Sequence, residues 1–236
     1  MQLPSPCRVD IAEHMDAEGV DPTDVAGALN DLRRLNRFVG GNRLTLRAID
    51  HARARRLLPD GPLRVLDVAT GAGDIPHAVV DHLYQQGIDA SVTGLDIKPV
   101  MLEEARRRSP ARIAFVQGDA LDMPFDDGAF DVVTCSLMLH HFEPAAATAV
   151  LAEMRRVSAR VVIVNDLIRA WHPWLFARVV GPVITRNPLT RNDGPVSVLR
   201  AYTREELLKL LNAAGLTPRW RATVLGYRMA VLATGE

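Results

Sequence analysis

The stretch Arg64-Val65-Leu66-Asp67-Val68-Ala69-Thr70-Gly71-Ala72-Gly73-Asp74 decides the fold. An apolar run ends in a glycine-rich turn, and Ile75, Ala78, Val79 and Leu83 then recur at helical spacing. A strand that enters a helix through such a turn opens a βαβ unit. Glycines at 71 and 73 permit a tight turn and let a ligand approach the backbone closely. Open α/β sheets take ligands at the carboxyl ends of their strands, which is where this turn sits.

Working outward, the same rhythm repeats. Strand-like runs occupy Arg64–Ala69, Ser91–Asp96, Arg112–Gln117, Phe130–Cys135 and Arg160–Asn165. Helical patterns between them carry Met101, Leu102 and Ala105, then Ala147, Val150, Leu151, Met154 and Val157. Five strand–helix alternations imply parallel strands joined by right-handed crossovers. Thr203-Arg204-Glu205-Glu206 is a capping box opening a helix that stops at Gly215. Arg219–Val224 and Tyr227–Leu232 follow too closely for a helical crossover and predict an antiparallel hairpin. The expectation is an open, doubly wound, mostly parallel seven-stranded α/β sheet of the Rossmann-like kind. Residues 1–60 read as a leader and helical lid, with Asp21-Pro22-Thr23-Asp24 starting one helix and Asn42–Leu58 forming another. Residues 61–236 form the main domain. Within it, about 167–202 lacks the βα rhythm and reads as a helical lid or substrate insertion.

The turn also indicates its ligand. A dinucleotide fingerprint would place Gly or Ala where Pro76 stands, and no Gly-Lys-Ser/Thr follows for an ATP phosphate loop. Asp67 and Asp74 flank the turn. A pyrophosphate would be repelled there, whereas an ammonium or sulfonium suits two carboxylates. Asp96 ends the second strand 23 positions after Gly73, a spacing that suits a ribose diol. Asp119, in Gly118-Asp119-Ala120, ends the third strand, where it can accept from an adenine amine. Ribose, adenine and a cationic tail together describe S-adenosylmethionine.

As a set, these residues resemble the class I S-adenosylmethionine-dependent methyltransferases, over roughly residues 64–232. Val65-Leu66-Asp67-Val68-Ala69-Thr70-Gly71-Ala72-Gly73-Asp74 is similar to the wording of the menaquinone/ubiquinone-biosynthesis and small-molecule group. So are Gly118–Phe125 and Phe130-Asp131-Val132-Val133. Ala69 stands where many class I enzymes carry glycine. The resemblance implies that Asp67, Gly71 and Gly73 hold the methionine end, Asp96 the ribose, and Asp119 with the Ala120 backbone the adenine. Ala69, Ile97 and Ser136 complete the expected cofactor set. Two departures are plain. Val157-Ser158-Ala159-Arg160 replaces the usual Lys-Pro-Gly-Gly turn, and Leu139-His140-His141-Phe142 follows the fourth strand.

His140 and His141 fall on the rim where methyl transfer is expected, and imidazole takes a proton near neutral pH. They are the candidate catalytic residues, with His140 first. Arg37, Asp166, His172, Arg191 and Tyr202 are the candidate substrate contacts. Aromatic residues of the insertion, including Trp171, Trp174 and Phe176, suit a pocket for a planar acceptor, and also suit a membrane surface. The reading is a methyltransferase acting on a small molecule, with O-methylation of an aromatic or polyketide-like hydroxyl as the main expectation. C-methylation of a quinol ring is the alternative, and a non-catalytic S-adenosylmethionine-binding protein the rival of another class. The expected partner is a small-molecule acceptor, with no nucleic acid and no integral membrane association.

Composition narrows the classes further. In 236 residues, 28 basic side chains balance 28 acidic ones, which argues against a uniformly basic nucleic-acid binder. Lys98 and Lys209 are the only lysines. Neutrality hides polarity, because eight arginines between Arg33 and Arg56 face only Asp50. That segment reads as a solvated helical face or as a basic lid. Cys7 and Cys135 are the only cysteines, which excludes a disulfide framework and Cys-rich zinc sites. No histidine pair shows metal-ligand spacing, so no metal is expected. With no secretory leader or spanning run of apolar residues, a cytoplasmic location is expected.

Overall fold

The computed structural model describes residues 5–17, 19–38, 40–109 and 112–235. Seven strands form one sheet: β1 (Leu63–Val68), β2 (Ala90–Asp96), β3 (Ile113–Gln117), β4 (Phe130–Ser136), β5 (Ser158–Leu167), β6 (Leu216–Val224) and β7 (Arg228–Gly235). Their order is β3-β2-β1-β4-β5-β7-β6. The first five are parallel, and β7 enters antiparallel between β5 and β6. Nine helices are described: α1 (Pro22–Phe38), α2 (Gly41–Ala54), α3 (Asp74–Gln85), α4 (Pro99–Arg108), α5 (Pro144–Val157), α6 (Trp171–Val179), α7 (Gly181–Ile184), α8 (Pro188–Arg200) and α9 (Arg204–Ala213).

Two-residue periodicity distributes each strand between two cores. On one face Leu66, Val68, Val133, Val162 and Val164 meet Val150, Leu151 and Met154 of α5 and Leu207 and Leu211 of α9. On the other face Val65, Val92, Val132, Val161 and Ile163 meet Ile75, Val79 and Leu83 of α3. Ala48, Ile49 and Ala52 of α2 join that second cluster. Of the N-terminal pair, α2 therefore serves as a layer helix, while α1 packs against α8.

One expected alternation differs. No helix lies between β3 and β4, where residues 118–129 cross as a loop. Asp119, Asp122, Pro124 and Asp126-Asp127-Gly128 explain it, since such residues favour turns over a continuous helix. The capping box forms as expected: the Thr203 side chain accepts from Glu206 N at 3.2 Å, and the Glu206 carboxylate accepts from Thr203 N at 2.8 Å.

The insertion after β5 becomes α6, α7 and α8. Residues 5–17 form a strap tied to α8 and to a short 3-10 helix, Leu139–His141. Arg8 donates to Arg200 O and Phe142 O, both at 2.8 Å, and Arg200 Nη1 donates to Ile11 O at 3.0 Å. Asp193 of α8 accepts from His14 N and Met15 N at 2.8 and 2.9 Å. Of the arginine-rich segment, Arg33, Arg34, Arg43, Arg47, Arg55 and Arg56 are exposed.

Candidate active site

Four adjacent parallel strands end on one rim, and each delivers a predicted residue there. β1 brings Asp67 and the turn Ala69–Gly73, β2 brings Asp96 and Ile97, β3 leads to Asp119 and Ala120, and β4 ends at Ser136. The turn is bent by left-handed backbone at Ala69, Gly71 and Gly73, with φ of 54°, 54° and 81°. Alanine adopts that region at a cost that glycine does not carry, so Ala69 stores local strain beside the site. A Cβ at Gly71 would meet nothing within 4 Å, so the backbone here faces open space.

Asp96 braces the turn from the next strand. Its carboxylate accepts from Gly71 N at 2.8 Å and from Lys98 N at 2.9 Å. Each oxygen keeps an unused lone pair for a hydroxyl. Asp67 is 1% exposed, and its Oδ1 is buried without a hydrogen-bond partner. Burial pushes its carboxyl up to about 8; the Thr70 hydroxyl pulls the other way, and the charges of Asp96 and Asp74 add to the rise. A buried acceptor lacking a donor is costly, and a cationic ligand would relieve it. Asp119 is exposed and accepts from Leu121 N at 2.9 Å, while Ile97 is 58% exposed at the rim.

His140 is 3% exposed. Its Nδ1 lies 2.7 Å from Asp166 Oδ1, and its backbone N donates to Asp166 Oδ2 at 3.2 Å. On the ring's far side Nε2 lies 3.6 Å from Glu13 Oε1. Burial alone would lower the imidazole. The field and hydrogen bond of Asp166, with Glu13 adding the same sense, overcome it and push it up to about 9. Burial likewise opposes the charges of Glu13 and Asp166, yet pairing with His140 leaves both below the usual carboxylate range. At neutral pH the group is an imidazolium between two carboxylates.

The ligand atoms of Glu13, His140 and His141 also come within 4.8 Å of one another, a set capable of meeting a metal ion. Histidine spacing in the sequence carried no sign of this grouping, because Glu13 arrives from the strap.

Beside His140 lies a mostly apolar cavity of about 140 Å³, lined among others by Glu13, Leu137, His141, Leu167 and Arg228. Leu137 directly follows Ser136 and joins this cavity to the cofactor rim; its φ of 54° is again left-handed. Arg228 is buried. Its Nε donates to Asn165 Oδ1 at 2.7 Å, Nη1 to Asn36 Oδ1 at 2.5 Å and Nη2 to Ser136 Oγ at 2.5 Å. Burial brings the guanidinium down to about 10 against the favourable field of Asp166. Among the described residues no carboxylate forms an ion pair with it.

The remaining predicted substrate contacts go elsewhere. His172 is exposed on α6, with Nε2 3.1 Å from Gly226 O. Arg191 is exposed on α8, outside the cavity lining. Tyr202 is buried behind the site, donating to Phe142 O at 2.7 Å with Arg8 over its ring. Arg37 falls in α1, but its side chain lies outside the described residues. Glu13 and Arg228 escaped sequence reasoning, whereas the Asn165-Asp166 pair stood out by its place at the carboxyl end of β5.

Residues 65–160 match the family described as Methyltransferase domain. The chain is 34% identical over 190 residues to the demethylmenaquinone methyltransferase of Deinococcus radiodurans, covering 74% of this chain and 76% of that one. It is 37% identical over 226 residues to the enzyme of the same name from Beutenbergia cavernae, covering 88% and 86%. Among solved structures, the magnesium protoporphyrin IX methyltransferase of Synechocystis, bound to SAH, superposes with a TM-score of 0.61 at 17% identity, covering 92% of this chain and all of that one. At that identity the likeness speaks for the fold.

Proposed function

The chain belongs to the class I S-adenosylmethionine-dependent methyltransferases, related to the demethylmenaquinone methyltransferases, and from that premise we propose that this small-molecule enzyme methylates a ring carbon of an apolar, hydroxylated aromatic acceptor of the quinol type. The observation carrying the acceptor class is the buried Asp166–His140–Glu13 row opening on a mostly apolar cavity. The curated relatives favour ring carbon over hydroxyl oxygen, the reverse of the order expected from sequence.

The rim residues fit the cofactor. The orphaned Asp67 Oδ1 is an acceptor awaiting a cation, and the open backbone at Gly71 leaves room beside it. Asp67 and the 69–73 turn would hold the methionine end, Asp96 the ribose, and Asp119 with the Ala120 backbone the adenine. Bound there, S-adenosylmethionine supplies an electrophilic methyl carbon.

The chain itself positions and deprotonates the acceptor. Holding two reactants in line can supply on the order of 7–11 kcal/mol of the barrier. A phenolic ring carbon becomes nucleophilic when its hydroxyl loses a proton. Asp166 orients the imidazole through Nδ1, leaving Nε2 to face the cavity. An acceptor hydroxyl reaching Nε2 from the cavity would give its proton to this row once His140 is neutral. Arg228, a buried cation with no carboxylate partner among the described residues, supports the oxyanion that results. After transfer, the row returns the hydroxyl proton to the ring oxygen and then takes the proton displaced from the methylated carbon, and aromaticity returns.

The test is incubation with S-adenosylmethionine and a reduced 1,4-naphthoquinone lacking a tail, the product being identified by mass and proton NMR. A ring-methyl signal is expected. A methoxy product alone would replace ring carbon by hydroxyl oxygen, and no transfer to any dihydroxyaromatic would overturn the acceptor class.

A further inference from the structure

Helix α6 turns Pro173 and Ala177 inward and leaves Trp171, Leu175, Phe176 and Val179 exposed. Beside it α7 shows Val183, 85% exposed, and Ile184. The turn between β6 and β7 stands against the same helix, since His172 Nε2 reaches Gly226 O and the Phe176 and Tyr227 rings meet edge to face at 6.1 Å. Leu225 at that turn is 80% exposed. Seven of the twelve large exposed apolar side chains among the described residues thus lie on one face. Scattered exposed residues are ordinary, but a contiguous apolar patch marks an interaction surface.

Charge selects the partner. Between Leu167 and Asn192 there is no Asp or Glu, while Arg178, Arg186 and Arg191 are exposed. Aromatic and aliphatic residues with arginines and no acids are what a helix lying in a lipid interface presents. No helix among the described residues is long and apolar enough to cross a membrane. A second cavity, about 290 Å³, is lined by Asp31, Arg34, Phe176, Gly181 and Ile184 near this face, and adjoins the cavity at His140 through the shared Thr190, Gly194 and Tyr227.

We propose that the α6–α7 face, with Leu225, docks on an anionic lipid bilayer, and that the second cavity opens there to admit an apolar acceptor. The docking stands on the surface alone; the route of entry rests on the acceptor class proposed above.

Flotation of the full chain with phosphatidylcholine vesicles, with and without added phosphatidylglycerol, tests it. The chain should float with the anionic vesicles and far less with the neutral ones. Leu175→Asp combined with Val183→Asp should reduce partitioning by more than about tenfold, while leaving turnover of the tail-less hydroquinone unchanged. Arg186→Gln should weaken only the phosphatidylglycerol-dependent share. Undiminished binding of the double variant, or equal binding to both vesicle types, would overturn the proposal. So would a concentration-dependent dimer, dispersed by Val183→Asp, in a chain that ignores vesicles. Vesicle binding by a chain that methylates no dihydroxyaromatic would sink the acceptor class and leave the docking standing.

Discussion

Two carboxylates, Asp67 and Glu13, matter for opposite reasons. Asp67 is held by burial at about 8, well above its unfolded value near 3.8. A raised carboxyl favours the folded state most below the unfolded value, and that advantage drains away as pH climbs through the folded one. Asp67→Asn should therefore stabilise the cofactor-free protein more at pH 8 than at pH 5, while weakening affinity for S-adenosylhomocysteine. Melting curves at both pH values, paired with calorimetry, would show it; unchanged affinity removes Asp67 from the cofactor site. Glu13 is ionised and faces His140 Nε2. If His140 acts once neutral, kcat/KM rises with pH toward about 9. Glu13→Gln removes one of the two negative neighbours, leaving Asp166 in place and His141 on the other side, so the rising limb should move to lower pH. A limb that stays put would detach Glu13 from the proton chemistry. Asp67, Asp96 and His140 were singled out by their chemical type and family wording at the ends of parallel strands, because the end of such a strand is a place in the sequence. Glu13 was not, since nothing within residues 5–17 says which helix they lie against.

At the scale of elements, the strap and α8 act together. Asp193, buried on α8, accepts from His14 N and Met15 N, and Ser197 one turn later donates to Glu13 Oε1 at 2.7 Å. Charge-assisted bonds of this kind are worth about 1.5–3 kcal/mol each, and losing them frees the strap. Asp193→Ala should therefore shift the pH limb in the same direction as Glu13→Gln, with S-adenosylhomocysteine affinity kept. A normal limb in that variant would mean that Glu13 is placed by Ser197 and the chain around it. The insertion was recognised as a departure from the βα rhythm, but its packing was not legible. Pro182, Pro188 and Pro195 obscure the helical period, and α8 keeps helical backbone through Pro195 all the same. His172, Arg191 and Tyr202 were chosen by chemical type, and tertiary packing turned them to the β6–β7 turn, to solvent and to the Phe142 carbonyl.

Across the whole molecule, the cofactor rim and the acceptor cavity draw on different parts of the chain. The rim is built by β1 to β4, in one continuous run of sequence. The cavity borrows from the strap, α1, α8, the end of β5 and the start of β7. Removing residues 1–16 should consequently spare S-adenosylhomocysteine binding and the cooperative melt of the sheet, yet depress methyl transfer by at least about tenfold, as loss of a positioning group does. Equal turnover would show that the acceptor site is complete without the strap. By itself the sequence determined the sheet, its strands and the cofactor rim. These are local properties: two-residue and helical periods, a turn that needs left-handed backbone, and acids placed at strand ends. Only the tertiary structure decided that Glu13 meets His140, that Arg228 is buried without a carboxylate partner among the described residues, and that α6 keeps an apolar face outward. Each of those depends on elements far apart in the chain, brought together by burial that no local pattern encodes.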